Sequence, residues 1–299
     1  MIACLFTGCI KEDQSDCRRS FTLLFRYNGD GTTDIFPDKV TKVNLYVYDT
    51  ADRALIRSYE LDQADLQTLQ GIRFDDLEPG TYEAVCWGNA YESSSVLAAE
   101  QRETGVMAAP EYHAGNPVDT NDELYHVAKT FTITNAWTDQ QDICYFNCAH
   151  IDVTVRLEGF EDFVFADTRA DGNCPVGMRL ENLPGYCDFS GTPFDEQTLY
   201  LPGLTAVADD DATAYESRFH TLRFGDDGEA ALRLTRPDTD ASFYTLPIRQ
   251  FLDAHDLSVE DRQEVALNIV LRLDADGVSI SVAPFEEEDI HPGLDERNN

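Results

Sequence analysis

The stretch VALNIVLRLDADGVSISVA, Val265 to Ala283, decides the fold class. Val265, Leu267, Ile269, Leu271 and Leu273 alternate with Ala266, Asn268, Val270, Arg272 and Asp274. After a short break, Val278, Ile280 and Val282 alternate with Ser279, Ser281 and Ala283. A period of two sends successive side chains to opposite faces of an extended strand. The break holds Asp276-Gly277, a pair that tolerates the backbone angles of a tight reversal. The stretch therefore predicts a β-hairpin.

The same period recurs along the chain. Val43, Leu45 and Val47 alternate with Asn44, Tyr46 and Tyr48. Further strands are expected over Ser20–Tyr27, Ala54–Leu61, Tyr82–Asn89, Val127–Thr134, Ile143–Leu157, Arg218–Phe224, Ala230–Leu234 and Phe243–Ile248. Helical periodicity is confined to Gln63–Leu69, Val96–Glu103 and a turn or two within Arg249–His255. Many short strands with Gly, Pro, Asn and Asp between them predict an all-β chain of β-sandwiches with few short helices. A length of 299 residues suggests roughly two domains of about 150. Ile143–Leu157 is long for one strand. It reads as the last strand of one domain running into the first strand of the next, with a break near His150 and a short, rigid linker. The expected division is 20–149 and 150–299, with an acidic tail from about 286.

The charge is far from balanced. There are 22 Lys and Arg against 56 Asp and Glu, a formal net charge of −34. Residues 10–149 hold 11 basic and 24 acidic side chains, and residues 150–299 hold 11 and 32, so neither half is a basic arm. Such a chain repels nucleic acid and anionic lipid surfaces. With 42% hydrophobic and 11% aromatic residues it still has material for cores, so the charge is a solvated surface. No segment after the first few residues nears the roughly 18 apolar residues that a membrane-spanning helix needs.

The beginning of the chain reads as a processing signal. Met1 to Phe6 are apolar, and Thr7-Gly8 are small residues before Cys9. The run Phe6-Thr7-Gly8-Cys9 resembles a bacterial lipobox, with residues 1–8 as a signal-peptide remnant and Cys9 as the acylated first residue of the mature protein. Lys11, Glu12 and Asp13 then resemble the surface-export signal of outer-membrane lipoproteins of Bacteroidota type, and 9–19 reads as a lipidated tether. Several acyl chains supply stable anchoring at about 0.8 kcal/mol per buried CH₂.

Eight cysteines are present: Cys4, Cys9, Cys17, Cys86, Cys144, Cys148, Cys174 and Cys187. Removal of the leader and acylation of Cys9 leave six, an even number that suits an oxidising compartment. Four residues along a strand separate Cys144 from Cys148 by about 13 Å, beyond disulfide reach. Cys174 and Cys187 bracket a Pro- and Gly-containing loop and are the expected pair. The alternative is that most are reduced and buried as small hydrophobes.

Signals for catalysis and for metal are weak. YNGDGTTD (Tyr27–Asp34), FGDDGEA (Phe224–Ala230) and DADG (Asp274–Gly277) have the composition of calcium loops. None completes the 12-residue EF-hand pattern, and hairpin turns explain them better. The carboxylates of ADDDAT (Ala208–Thr213) read as a solvated loop. His113, His126, His150, His220, His255 and His291 have no metal spacing. No nucleophile elbow, phosphate loop or dinucleotide fingerprint occurs. No enzyme, cofactor or metal site is expected. In LEPGTYEAVCWGN (Leu77–Asn89), Pro79-Gly80 suits a type II turn. The strand after it puts Val85 and Trp87 on one face and Ala84 and Cys86 on the other, with Trp87 buried.

With these stretches in hand a family comes into view. DCRRSFTLLFRY (Asp16–Tyr27), VTKVNLYVYD (Val40–Asp49), LEPGTYEAVCWGN, LPIRQFLDAH (Leu246–His255) and the final hairpin together resemble the fimbrillin-associated anchor lipoproteins of type V fimbriae of Bacteroidota. The resemblance implies two tandem transthyretin-like, Greek-key β-sandwiches without enzymatic activity. It implies a surface-exposed subunit, held in the outer membrane by lipid on Cys9, that joins a fimbrial shaft subunit by strand donation. The rival reading is a glycan-binding surface lipoprotein of a polysaccharide-uptake system, with stacking rings drawn from Tyr112, Tyr125, Trp137 or Tyr186. A secreted hydrolase would instead need converging carboxylates of perturbed pKa in a cleft.

Overall fold

The computed structural model describes residues 20–134, 138–160, 174–194, 197–208, 213–274 and 277–282. Its first half supplies β1 (Phe21–Arg26), β2 (Val43–Asp49), β3 (Leu55–Leu61), β4 (Gly71–Phe74), β5 (Gly80–Gly88), β6 (Ser95–Leu97), β7 (Val106–Ala108), β8 (Tyr125–Ile133), β9 (Gln140–Tyr145) and β10 (Asn147–Cys148). The second half supplies β11 (His150–Glu158), β12 (Gly177–Leu183), β13 (Tyr186–Asp188), β14 (Pro193–Phe194), β15 (Thr198–Tyr200), β16 (Thr205–Ala208), β17 (Thr213–Leu222), β18 (Ala231–Thr235), β19 (Ser242–Pro247), β20 (Ala266–Asp274) and β21 (Gly277–Val282). The helices are α1 (Phe36–Lys39), α2 (Gln63–Thr68), α3 (Pro110–His113) and α4 (Ile248–His255). The all-β expectation holds.

Each half packs two sheets on one apolar core. In the first, β4-β1-β9 faces β10-β8-β5-β2-β3. Phe21, Leu23 and Phe25 of β1 meet Val43, Leu45 and Val47 of β2 in one buried cluster, with Ala84 and Cys86 of β5 and Phe131 of β8. In the second, β16-β17-β11-β20-β21 faces β15-β12-β18-β19. Ile151, Val153, Val155 and Leu157 of β11 meet Leu180, Leu232, Leu234 and Leu246 there. The period-two patterns are thus read out directly as inward faces. The expected final hairpin is present, β20 pairing with β21 from Asp274↔Gly277 to Ile269↔Val282.

A third cluster and a mixed sheet join the halves. The order β14-β13-β7-β6 sets two strands of the second half beside two of the first, meeting at β13 and β7 with Tyr186↔Ala108 and Asp188↔Val106 in register. This sheet covers the outer face of β5. Val85 and Trp87 therefore pack on Met107, Cys187 and Phe189, while Ala84 and Cys86 face the first core. β5 is buried on both sides, which explains its unbroken apolar run AVCWG. The Trp87 indole N–H finds no acceptor among the described residues. Gly105 allows the close approach, since a Cβ there would lie 2.6 Å from the Phe189 ring.

Several expectations are corrected. Val96–Glu103 is not a helix: Ser95–Leu97 is β6, and Ala98 turns at φ 53°. Pairing with Met107 of β7 gives Val96 a partner that an isolated helix turn lacks. Gly80 is the first residue of β5 with no positive φ, so Pro79-Gly80 is not a type II turn. The Tyr82 hydroxyl instead donates to the Glu78 carbonyl at 2.8 Å, closing that corner over Gly80. Tyr27–Asp34 and Phe224–Ala230 are turns but not hairpins. The first leads from β1 into α1, and the second carries the chain from the sheet of β17 to that of β18. Ile143–Leu157 resolves into the end of β9, β10 and β11, with only Ala149 between the last two.

Candidate functional site

Two places combine unsatisfied surface with a defined shape: an uncovered sheet edge in the first half, and the seam between halves.

The edge belongs to β8. On one side β8 pairs with β5 without interruption, from Gly88↔Tyr125 to Gly80↔Ile133. On the other side β10 reaches only Tyr125 and His126. From Val127 to Ile133 no described strand covers that side. Tyr125, Val127, Phe131 and Ile133 point into the core, whereas Ala128, Thr130 and Thr132 are exposed, small and uncharged. Just beyond the strand, the Gln140 carboxamide stands in for a neighbouring backbone. Its Oε1 accepts from the Thr134 N–H at 2.9 Å, and its Nε2 donates to the Thr134 carbonyl at 3.2 Å. A cleft of about 480 Å³ opens between β8 and β9, lined by Phe21, Thr130, Phe131, Thr132, Gln140, Gln141 and Asp142. Lys129 and Asp142 bridge the two sheets across it at 3.3 Å.

The β3 edge of the same sheet, by contrast, is guarded. The outer strand β3 carries Arg57 and Glu60, paired with Asp76 at 3.4 Å and Lys42 at 3.0 Å. Charges on an edge deter unwanted pairing with another chain. The β8 edge lacks this protection apart from Lys129.

The seam is polar and heavily cross-linked by hydrogen bonds. Tyr27 donates to the Glu264 carboxylate, which also pairs with Lys39 at 2.9 Å. Asp30 accepts from the Gln263 N–H at 2.7 Å, and the Gln263 side chain accepts from the Cys148 N–H at 2.9 Å. Val118 bonds on both sides, donating to the Leu199 carbonyl and accepting from the Leu201 N–H. At the centre lies a His–Asp–His group. His150 Nδ1 donates to the Leu124 carbonyl at 2.9 Å, and its Nε2 sits 3.3 Å from Asp152 Oδ1. His220 Nε2 lies 3.2 Å from the same oxygen. Burial alone would lower the His150 pKa, but Asp152 and Cys148 beside it raise it well above the ordinary imidazole value. Burial alone would raise Asp152, but the two imidazoles hold it far below the usual carboxylate range. The Cys148 Sγ lies 3.3 Å from His150 Nδ1 and also contacts the His150 carbonyl. Cys148 is buried, as is His150, so this row is a structural tie.

The residues singled out from sequence are scattered. Cys9, Lys11, Glu12, Asp13 and Trp137 lie outside the described residues. Cys174 and Cys187 are both free thiols. Cys187 is buried in the seam cluster and Cys174 packs on the second core, so the structure does not join them. Burial pushes the Cys174 thiol up to about 11 and the Cys187 thiol up to about 12. Tyr125 is fully buried in the first core. Tyr112 and Tyr186 are neighbours, their centroids 5.9 Å apart, and Phe194 stacks on Tyr186 at 5.7 Å. The calcium-like loops spend their carboxylates on the fold. Asp34 accepts from the backbone of Tyr27 and Phe36, and Asp226 from Ser258 and Val259. Among the described residues no group of three or more His, Cys, Asp or Glu converges as metal ligands. Among the described residues no helix is long and apolar enough to cross a membrane.

The architecture matches solved structures from Bacteroides and Porphyromonas. An adhesin candidate from Bacteroides ovatus superposes with TM-score 0.70 at 15% identity, covering 90% of this chain and 94% of that one. The fimbrial anchor protein Mfa2 from Porphyromonas gingivalis superposes with TM-score 0.64 at 15% identity, covering 88% and 95%. At such identities the likeness shows the fold alone. The chain belongs to the family of fimbrillin-A associated anchor proteins Mfa1 and Mfa2, whose model matches residues 14–291. The major fimbrium anchoring subunit FimB of P. gingivalis is 33% identical over 193 residues, covering 63% of this chain and 59% of that protein.

Proposed function

We propose that this chain is a non-enzymatic anchor subunit of a fimbrium, displayed on the outer membrane through lipid on Cys9, with Lys11, Glu12 and Asp13 as its surface-export signal. A shaft subunit joins it by laying an extended segment along β8 between Val127 and Ile133. The observation that carries this reading is the uncovered β8 edge, with Lys129 as its single charge between Val127 and Ile133, beside an open cleft. Backbone groups there supply hydrogen bonds to an added strand, and the cleft takes its alternate side chains. Family membership supports the anchoring role. Tyr27, Lys39 and Asp30 of the first half are tied to Gln263 and Glu264 of the second, which suits a part that carries tension rather than a catalyst. The halves then transmit force from fibre to membrane as one unit.

Fractionation tests the tether. Cys9→Ala is expected to move the protein from the outer-membrane pellet to the soluble fraction. Retention of the variant in that pellet after a high-salt wash would contradict the lipid anchor.

A further inference from the structure

We propose that the cleft at the seam is a binding site for a neutral saccharide, with Tyr91 as its stacking wall. The site is separate from the β8 edge and does not depend on the anchoring role. The cleft measures about 610 Å³ and takes its walls from both halves, Asp38, Tyr91 and Glu123 from the first and Arg218 and His220 from the second. That volume falls within the range of small-ligand pockets, about 300–1,000 Å³.

Tyr91 is half exposed, at 51%, yet it is pinned. Its hydroxyl lies 2.5 Å from Thr41 Oγ1, and its backbone N–H donates to Asp122 at 2.8 Å. Lys42 Nζ lies over one face of the ring, 5.5 Å from its centroid, and is itself held by Glu60 at 3.0 Å, so a stacked ligand takes the opposite face. A pre-ordered ring loses little conformational freedom when a ligand stacks on it. A flat ring with a polar rim suits a ligand that has an apolar face and a hydroxylated edge, as a pyranose does.

The surrounding charges select neutrality. On a chain of net charge −34, this cleft is of mixed sign: the carboxylates Asp38, Asp122 and Glu123 line it together with Lys39, Arg218 and the His220 imidazole. An anion would meet the carboxylates and a cation would meet the guanidinium and ammonium groups. A hydroxyl donates to the first and accepts from the second. Arg218 pairs with Glu216 at 2.7 Å and Glu123 lies 3.7 Å from His220, yet both side chains remain more than half exposed and so present polar atoms at the cleft.

The test is an NMR titration of the full chain with the methyl glycosides of glucose, galactose, mannose and N-acetylglucosamine. A sulfated sugar and a Lys-rich peptide serve as charged probes. At least one neutral glycoside is expected to shift Tyr91 and His220 resonances saturably in the millimolar range, about 1–10 mM. Tyr91→Ala should weaken that binding at least about tenfold, and Tyr91→Phe by less than about threefold. Arg218→Ala, an exposed change that leaves the ring in place, should weaken it as well. The proposal is overturned if no neutral glycoside moves those resonances, if a charged probe binds the cleft more tightly, or if Tyr91→Ala and Arg218→Ala leave the affinity unchanged.

Discussion

Met107 and Cys187 face each other in one antiparallel ladder although they come from opposite halves of the chain. The pairing closes a sheet that neither half completes alone, and it seals Trp87 beneath it. Force applied to one sandwich therefore reaches the other through backbone hydrogen bonds and a buried aromatic cluster, not through a linker alone.

Phe189 is the side chain on which that seal turns. It is fully buried and lies 5.3 Å from Tyr46 and 6.4 Å from Trp87, centroid to centroid. Phe189→Ala is expected to cost about 3–5 kcal/mol in urea denaturation. It should also expose the loops around Gly105 and Gly191 to limited proteolysis while both sandwiches stay folded. A loss below about 1 kcal/mol would mean that the shared sheet does not couple the halves.

Stability should depend on pH through two histidines of opposite sign. Burial lowers His126 to about 4, and the Phe189 carbonyl, 3.0 Å from its Nε2, offsets only part of this. A depressed imidazole contributes stability that is present above its unfolded value of about 6.5 and is lost as pH falls toward about 4. His150 is raised, so its contribution is present below about 6.5 and is lost as pH rises through the raised value. Denaturation across this range should show both losses. His126→Gln should flatten the acid limb only, and an acid limb unchanged by that substitution would refute the assignment.

Asp152 holds the second of these in place. Asp152→Asn removes the charge 3.3 Å from His150 and 3.2 Å from His220. An NMR titration should then find the His150 pKa lower than in the parent chain. An unchanged value would show that Cys148 and the Leu124 carbonyl suffice.

The thiols of Cys174 and Cys187 are expected to stay protonated and unreactive at neutral pH, because burial raises both. Alkylation of the native protein should label neither quickly, and denaturant should release both. A native mass two hydrogens lower, localised to this pair, would show instead that they bridge.

How much of this was legible in the sequence follows from which interactions are local. Alternation in Val43–Tyr48 and Val265–Val282 gave strands directly, because one period maps to one buried face. The stretch AVCWG predicted a buried Trp87 with the right partition of faces. What covers Trp87 could not be read, since β13 lies far along the chain and its three residues carry no signal of pairing with β7. Val96–Glu103 misled for the same reason: its partner strand, not its own periodicity, makes Ser95–Leu97 extended. The β8 edge left a faint trace, Ala128, Thr130 and Thr132 in outward positions without a charge, but an edge is a property of the sheet. Gln140 carried none.

Photocrosslinking from within the β8 edge tests the central claim most directly. With a benzoylphenylalanine at Thr130 of the tagged full chain, irradiation of intact cells should join it to another fimbrial subunit. The same group at Ser279 on β21, another uncharged strand at a sheet edge, should not. Adducts at Ser279 alone, or at Thr130 only with polysaccharide-uptake proteins, would contradict the account.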